Sequence, residues 1–171
     1  MNDMRIHHFR QNWEWVHRMT VDFVDVVPND KWEFTPDPPR GLGRGSGPLR
    51  VRDGFAPFCK QLRHVICVRG VYIAAMITKR ADFSQSHEFY NGPLTREALR
   101  QALIESHSQF LATLETLDTE IPIDFSGTSF SFDNFACEVI QHEAIHHGQW
   151  SIYASLGGFE TPVSWRTSWK L

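Results

Sequence analysis

Four stretches of this chain repeat apolar residues at steps of three and four, and proline or glycine breaks the pattern between them. That spacing gathers apolar groups on one face of an α-helix, whose period is 3.6 residues. The expected fold is therefore all-α, a four-helix bundle with a long first connection. The first stripe covers residues 4–27 through Ile6, Phe9, Trp13, Val16, Thr20, Phe23 and Val27, and Pro28-Asn29-Asp30 ends it. Residues 31–50 form the connection, broken by Pro36, Pro38, Pro39 and the glycines from Gly41 to Gly47. The second helix is expected to start near Asp53, a good N-cap, with Pro57 in its first turns. Its face carries Lys60, His64, Cys67 or Val68, Val71 and Ala75. Thr95 caps the third, whose stripe is Leu99, Leu103, Ser106, Phe110, Leu114 and Leu117. The fourth runs from Ser131 to Leu156, where Gly157-Gly158 supplies a left-handed stop. No strands are expected, and the 171 residues read as one domain, 1–171.

Charge and composition narrow the function. A net charge of −3 gives no basic footprint for a nucleic acid. No apolar run reaches the length of a membrane span, and Met1-Asn2-Asp3-Met4-Arg5 lacks the apolar segment of a signal peptide. Cys59, Cys67 and Cys137 are odd in number and widely spaced, so a disulfide framework is not expected and a reducing, cytoplasmic setting fits best.

The chemistry concentrates in His142-Glu143-Ala144-Ile145-His146-His147-Gly148-Gln149. Residues four apart on a helix share a face, with Cβ atoms roughly 5–6 Å apart, so His142 and His146 can share one metal ion. The stripe extends upstream to Glu138 and downstream to Gln149 and Tyr153. Glu138 is a candidate fourth ligand or an outer partner. Glu143 and His147 are rotated off the stripe, so substituting them is expected to leave metal binding intact. The same H-E-x-x-H pattern marks zinc metalloproteases. The extended protease signature, however, needs glycine and histidine where this chain has Gln149 and Ile152.

A third ligand then has to come from another helix. His7, His8, His17, His64, His87 and His107 are the candidates. His64 is the best placed, inside the apolar segment Leu62–Ala75, where a metal would justify its burial. His17 and His107 flank apolar stripes, and His7, His8 and His87 lie in regions expected to be exposed. Three imidazoles leave a position open for water or substrate, the mark of a catalytic site.

Several segments together resemble one family over nearly the whole length. They are Gln61-Leu62-Arg63-His64-Val65, the His142–Gln149 motif, the tail Gly157-Gly158-Phe159-Glu160-Thr161-Pro162, and Val27–Pro36 after the first helix. The resemblance is to the DinB/YfiT-like metalloproteins. It implies a four-helix bundle, commonly dimeric, with one histidine from the second helix and a His-x-x-x-His pair from the fourth. It further implies zinc, nickel or a related divalent ion, and activities that include S-transfer from low-molecular-weight thiols, isomerisation and hydrolysis. Carried onto this chain, it assigns His64, His142 and His146 as the metal triad. Two departures stand out: His147 occupies a position where the family often has arginine, and residues 40–48 form a glycine-rich insertion.

The resulting expectation is a metal-dependent S-transferase or hydrolase acting on a small electrophilic molecule, with Glu138 or Gln149 orienting the nucleophile. A non-catalytic metal or small-ligand binding bundle is the alternative, and a metal-free dimerisation bundle is a third reading. A homodimer is expected, paired through the first-helix aromatics or the third-helix stripe. Gly41–Gly47 superficially resembles a phosphate-binding loop, but it neither follows an expected strand nor opens a helix, so it reads as a connector. Arg40, Arg44, Arg50 and Arg52 are weak candidates for attracting a carboxylate-bearing substrate or thiol cofactor. Cys67 is either a soft ligand or a buried structural cysteine. Trp150 and Tyr153 either wall the metal or fill the core, and Trp165 and Trp169 are expected to pack against the bundle or a partner.

Overall fold

The computed structural model describes residues 4–36 and 56–170. Four long helices are present: α1 (Met4–Val26), α2 (Phe58–Thr78), α3 (Arg96–Leu114) and α4 (Phe132–Gly157), followed by a short α5 (Val163–Trp169). The expected bundle is observed. Asp53 and the glycine-rich segment 41–47, with its arginines, lie outside the described residues. Pro57 is itself the N-cap residue of α2, rather than a member of its first turns.

Local chemistry sets the helix ends. The Thr95 hydroxyl accepts from the Ala98 amide and the Ser131 hydroxyl from the Asn134 amide, both at 3.3 Å, satisfying amides that the first turn leaves unpaired. Gly158, at φ +71°, closes α4 in the left-handed region, which costs a residue without Cβ little.

Three short strands were not expected: β1 (Arg80–Ala81), β2 (Ile123–Phe125) and β3 (Thr128–Phe130). β1 pairs parallel to β2, and β2 pairs antiparallel to β3 around Ser126-Gly127, both at positive φ as a two-residue hairpin demands. Runs of two or three residues are too short to show alternation, which is why the pattern hid them. For the same reason α5, with seven residues, escaped detection.

The stripes fill two apolar clusters. Met19, Phe23, Phe58, Leu62, Leu99, Leu103, Trp150, Tyr153 and Trp165 belong to one. Phe9, Trp13, Val68, Tyr72, Phe110, Leu114, Phe135 and Val139 belong to the other. This corrects the expected dimer surfaces, because the α1 aromatics and the α3 stripe are consumed in the core. The large apolar side chains left exposed on α4 are Ile145, Ile152 and Leu156. Each long helix passes from one cluster to the other near its middle: between Trp13 and Met19 on α1, between Ile66 and Val68 on α2, between Leu103 and Phe110 on α3, and between Val139 and Trp150 on α4. A polar layer lies there.

Candidate metal centre

The long helices bring His64 from α2 against His142 and His146 from α4. Their donor atoms all lie within 4.8 Å of one another, and no other such group of His, Cys, Asp or Glu occurs among the described residues. The Nε2 atoms of His64 and His142 stand 3.2 Å apart. Two nitrogens on one tetrahedral zinc, each at about 2.0–2.1 Å, would be about 3.3 Å apart, so this edge already has the required length. Burial drives the His142 pKa down to about 3 and the His146 pKa down to about 4, with the neighbouring imidazoles adding to both falls. Burial and then the Arg63 charge also lower His64. The three rings are therefore neutral near pH 7, the form that offers a lone pair to a metal. Nδ1 of His146 is buried with no partner at hydrogen-bonding geometry. Neutral imidazole donors converging on one point fit a divalent ion of borderline softness.

The positions around the triad sort the other candidates. His64 is exposed rather than buried, so the expectation that a metal justifies its burial is corrected: it forms the accessible rim of the cluster. Gln149, half-buried beside the His146 ring, opposes part of that ring's pKa fall. Glu138 is half-buried on the same face, outside the gathered donor atoms. The Cys67 thiol is buried, lies 3.7 Å from the Tyr90 carbonyl oxygen and is pushed up in pKa by burial, as a structural cysteine would be. Trp150 touches the His146 ring at 6.0 Å between centroids, but its indole N–H donates to Gln61 within the core. The Tyr153 hydroxyl donates to the Ala56 carbonyl and accepts from Gln61, so Tyr153 is a core residue and not a wall of the site. His7, His8 and His87 are exposed, as expected. His17 and His107 stack on each other at 3.7 Å, away from the triad.

Glu143 does turn off the face that carries His142 and His146, as its 100° offset requires, but it turns into the core, where it is 2% exposed. The Arg69 guanidinium, 1% exposed, grips it with Nε to Oε1 at 2.5 Å and Nη2 to Oε2 at 2.8 Å. The Thr20 hydroxyl donates to Oε2 at 2.8 Å, so its oxygen accepts from His147 Nε2, also at 2.8 Å. That places the proton of the neutral His147 ring on Nε2. Arg69 also donates to the Leu103 carbonyl at 3.2 Å and to His17 Nδ1 at 3.1 Å, and lies 4.6 Å over the Trp13 ring. Beside this guanidinium, Glu143 is held ionised at a pKa of about 2, the ion pair overcoming the opposing effect of burial. The sequence reading missed Arg69 and gave Thr20 no role. The signals were there: one arginine inside the apolar run Val65–Val71, and one hydroxyl on the apolar stripe of α1.

Residues 12–150 match the family model described as the DinB superfamily. Among solved structures, the fold is similar to that of a DinB-like protein, YjoA, from Bacillus subtilis. The TM-score is 0.59 at 13% identity, over 95% of this chain and 98% of that one. No curated protein matches the chain.

Proposed function

The chain belongs to the DinB superfamily, and from that premise we propose that it is a divalent-metal-dependent enzyme acting on a small electrophilic molecule, as an S-transferase using a low-molecular-weight thiol or as a hydrolase. The observation that carries the reading is the meeting of three neutral imidazoles from two helices, with one edge already at ligand spacing. His64, His142 and His146 would hold the ion, zinc or nickel by the character of the donors. Such an ion supplies acidity, lowering the pKa of a thiol or water so that a nucleophile exists at neutral pH.

The chain's own residues divide the remaining work. His64, at the exposed rim, leaves the centre open to small molecules from solvent. The buried Cys67 thiol, with its raised pKa, is a poor nucleophile, so the attacking group comes from solution. Gln149 or Glu138, one turn either side of the imidazole pair, would orient that group, and of the two only the Glu138 carboxylate could take up its proton. A second reading, a non-catalytic metal or small-ligand binding bundle, is favoured by one observation: no carboxylate stands among the gathered donors.

The proposal extends to a homodimer, for which Ile145, Ile152 and Leu156 offer an exposed apolar stripe on α4, and to a reducing, cytoplasmic setting, in keeping with three free cysteines. Among the described residues, no helix is long and apolar enough to cross a membrane. Elemental analysis followed by a screen of thiols and water against electrophilic substrates, with and without chelator, tests the function. Metal-dependent turnover supports the enzyme. Stoichiometric metal without turnover favours the binding module, and protein that neither carries nor takes up metal refutes both.

A further inference from the structure

We propose, resting on the metal-site reading above, that the buried Arg69–Glu143 pair is the positioning device of the three-histidine centre, setting the register of α2 against α4. The pair joins the two helices that supply the donors. Arg69 follows His64 by five residues on α2, and Glu143 sits between His142 and His146 on α4. Within the triad the one contact of hydrogen-bond length between the two helices is the His64–His142 Nε2 pair at 3.2 Å, made by the exposed His64.

Apolar packing fixes depth better than it fixes sliding, since a methylene finds similar contacts along a groove. A guanidinium fork on a carboxylate is different, because both bonds need one mutual orientation. A slip of one residue is a 1.5 Å rise along the helix axis, enough to break both the 2.5 Å and the 2.8 Å bonds. The fork is itself braced from the two remaining helices, by Thr20 of α1 on the carboxylate and by Leu103 of α3 on the guanidinium. Stability alone does not account for such a pair, since apolar replacements of buried ion pairs are often neutral or stabilising. Geometric specification of a site accounts for it directly.

The test separates the pair's charge from its bulk. The double variant Arg69→Met/Glu143→Leu keeps an apolar, space-filling layer, while Leu114→Ala opens a cavity at the last residue of α3, in the apolar cluster of Phe9, Phe110 and Phe135. Cobalt(II) is the probe, read by its ligand-field spectrum and by its Kd in competition with zinc. The double variant is expected to bind cobalt at least tenfold more weakly, the scale of outer supports of metal ligands, with an altered spectrum. Leu114→Ala is expected to keep both wild-type values despite a lowered Tm. Thr20→Val, which keeps the ion pair but removes the brace on the carboxylate and the acceptor of the His147 Nε2–H, gives a smaller loss in the same direction and serves if the double variant does not fold. Wild-type affinity and spectrum in the folded double variant, or in Thr20→Val where that variant stands in, would overturn the positioning role. Wild-type protein that binds neither cobalt nor zinc would instead overturn the metal reading on which it rests.

Discussion

Six of the nine histidines fall into two groups that meet on α4, and their surroundings differ in one respect. His64, His142 and His146 point nitrogens at one another, with a buried Nδ1 left unpaired. His147 and His17 each have a nitrogen spoken for by a neighbour, Thr20 in one case and Arg69 in the other, and His107 stacks on His17. The first group turns its nitrogens on one another, between two helices. In the second, His147 and His17 are bonded into the layer of Thr20, Arg69 and Glu143, and His107 joins it by stacking alone, its buried Nδ1 unpaired. Residue type therefore says little about role here; the direction in which the ring nitrogens are satisfied says most.

The comparison breaks most visibly at the polar layer. Glu143→Ala leaves the Arg69 guanidinium buried without its counter-charge, and unfolding in urea should show a loss of about 3–5 kcal/mol. At the triad the effects are reversed. His64→Ala, at the exposed rim, should change the stability of the metal-free protein by no more than about 0.5 kcal/mol, as exposed substitutions generally do. Yet titration with zinc should show an affinity loss greater than the roughly 10–100-fold that outer supports command. A large stability loss with unchanged zinc affinity would mean that the two groups had been assigned the wrong way round.

Acid sharpens the contrast further. Burial, aided by Arg69, lowers the His17 pKa to about 2 and the His107 pKa to about 4, from an ordinary 6.5. The unfolded chain takes up protons below about pH 6.5 while these folded rings stay neutral. Stability is therefore full above that pH and declines as pH falls towards 4. The urea midpoint should be lower at pH 5 than at pH 7.5. His107→Phe, which keeps an aromatic face on His17, should flatten that slope. The smallest expected effect is at Gln149, beside the His146 ring: Gln149→Ala should weaken zinc binding by about tenfold or less, measurable by competition with a chromogenic chelator.

The bundle and the α4 pair were legible because helical periodicity and an i,i+4 spacing are properties of sequence alone. His64 was identified through its apolar neighbours and the family resemblance, but its exposure was misread, since a helix inside an apolar run still has a face towards solvent. The polar layer was not legible. Arg69 and Glu143 are 74 residues apart, and nothing local marks them as partners; only the packed bundle brings the two charges together. Glu143 was correctly turned off the stripe, but an angular offset does not tell core from solvent.

The tail adds a consequence of a kinetic kind. The Trp165 indole donates to the Met19 carbonyl at 2.9 Å, and the Ser164 hydroxyl to Asp22, so α5 fastens on α1 across 146 and 142 residues of chain. Seven residues are too few to hold a helix in water unaided, and contacts so remote in sequence carry the largest loop-closure cost and form slowly. The clasp is thus expected to form late, once α1 is in place for α5 to dock on. Because its amides can exchange with solvent by local release, without opening the four long helices, hydrogen exchange along α5 measures the strength of the clasp apart from that of the bundle it closes.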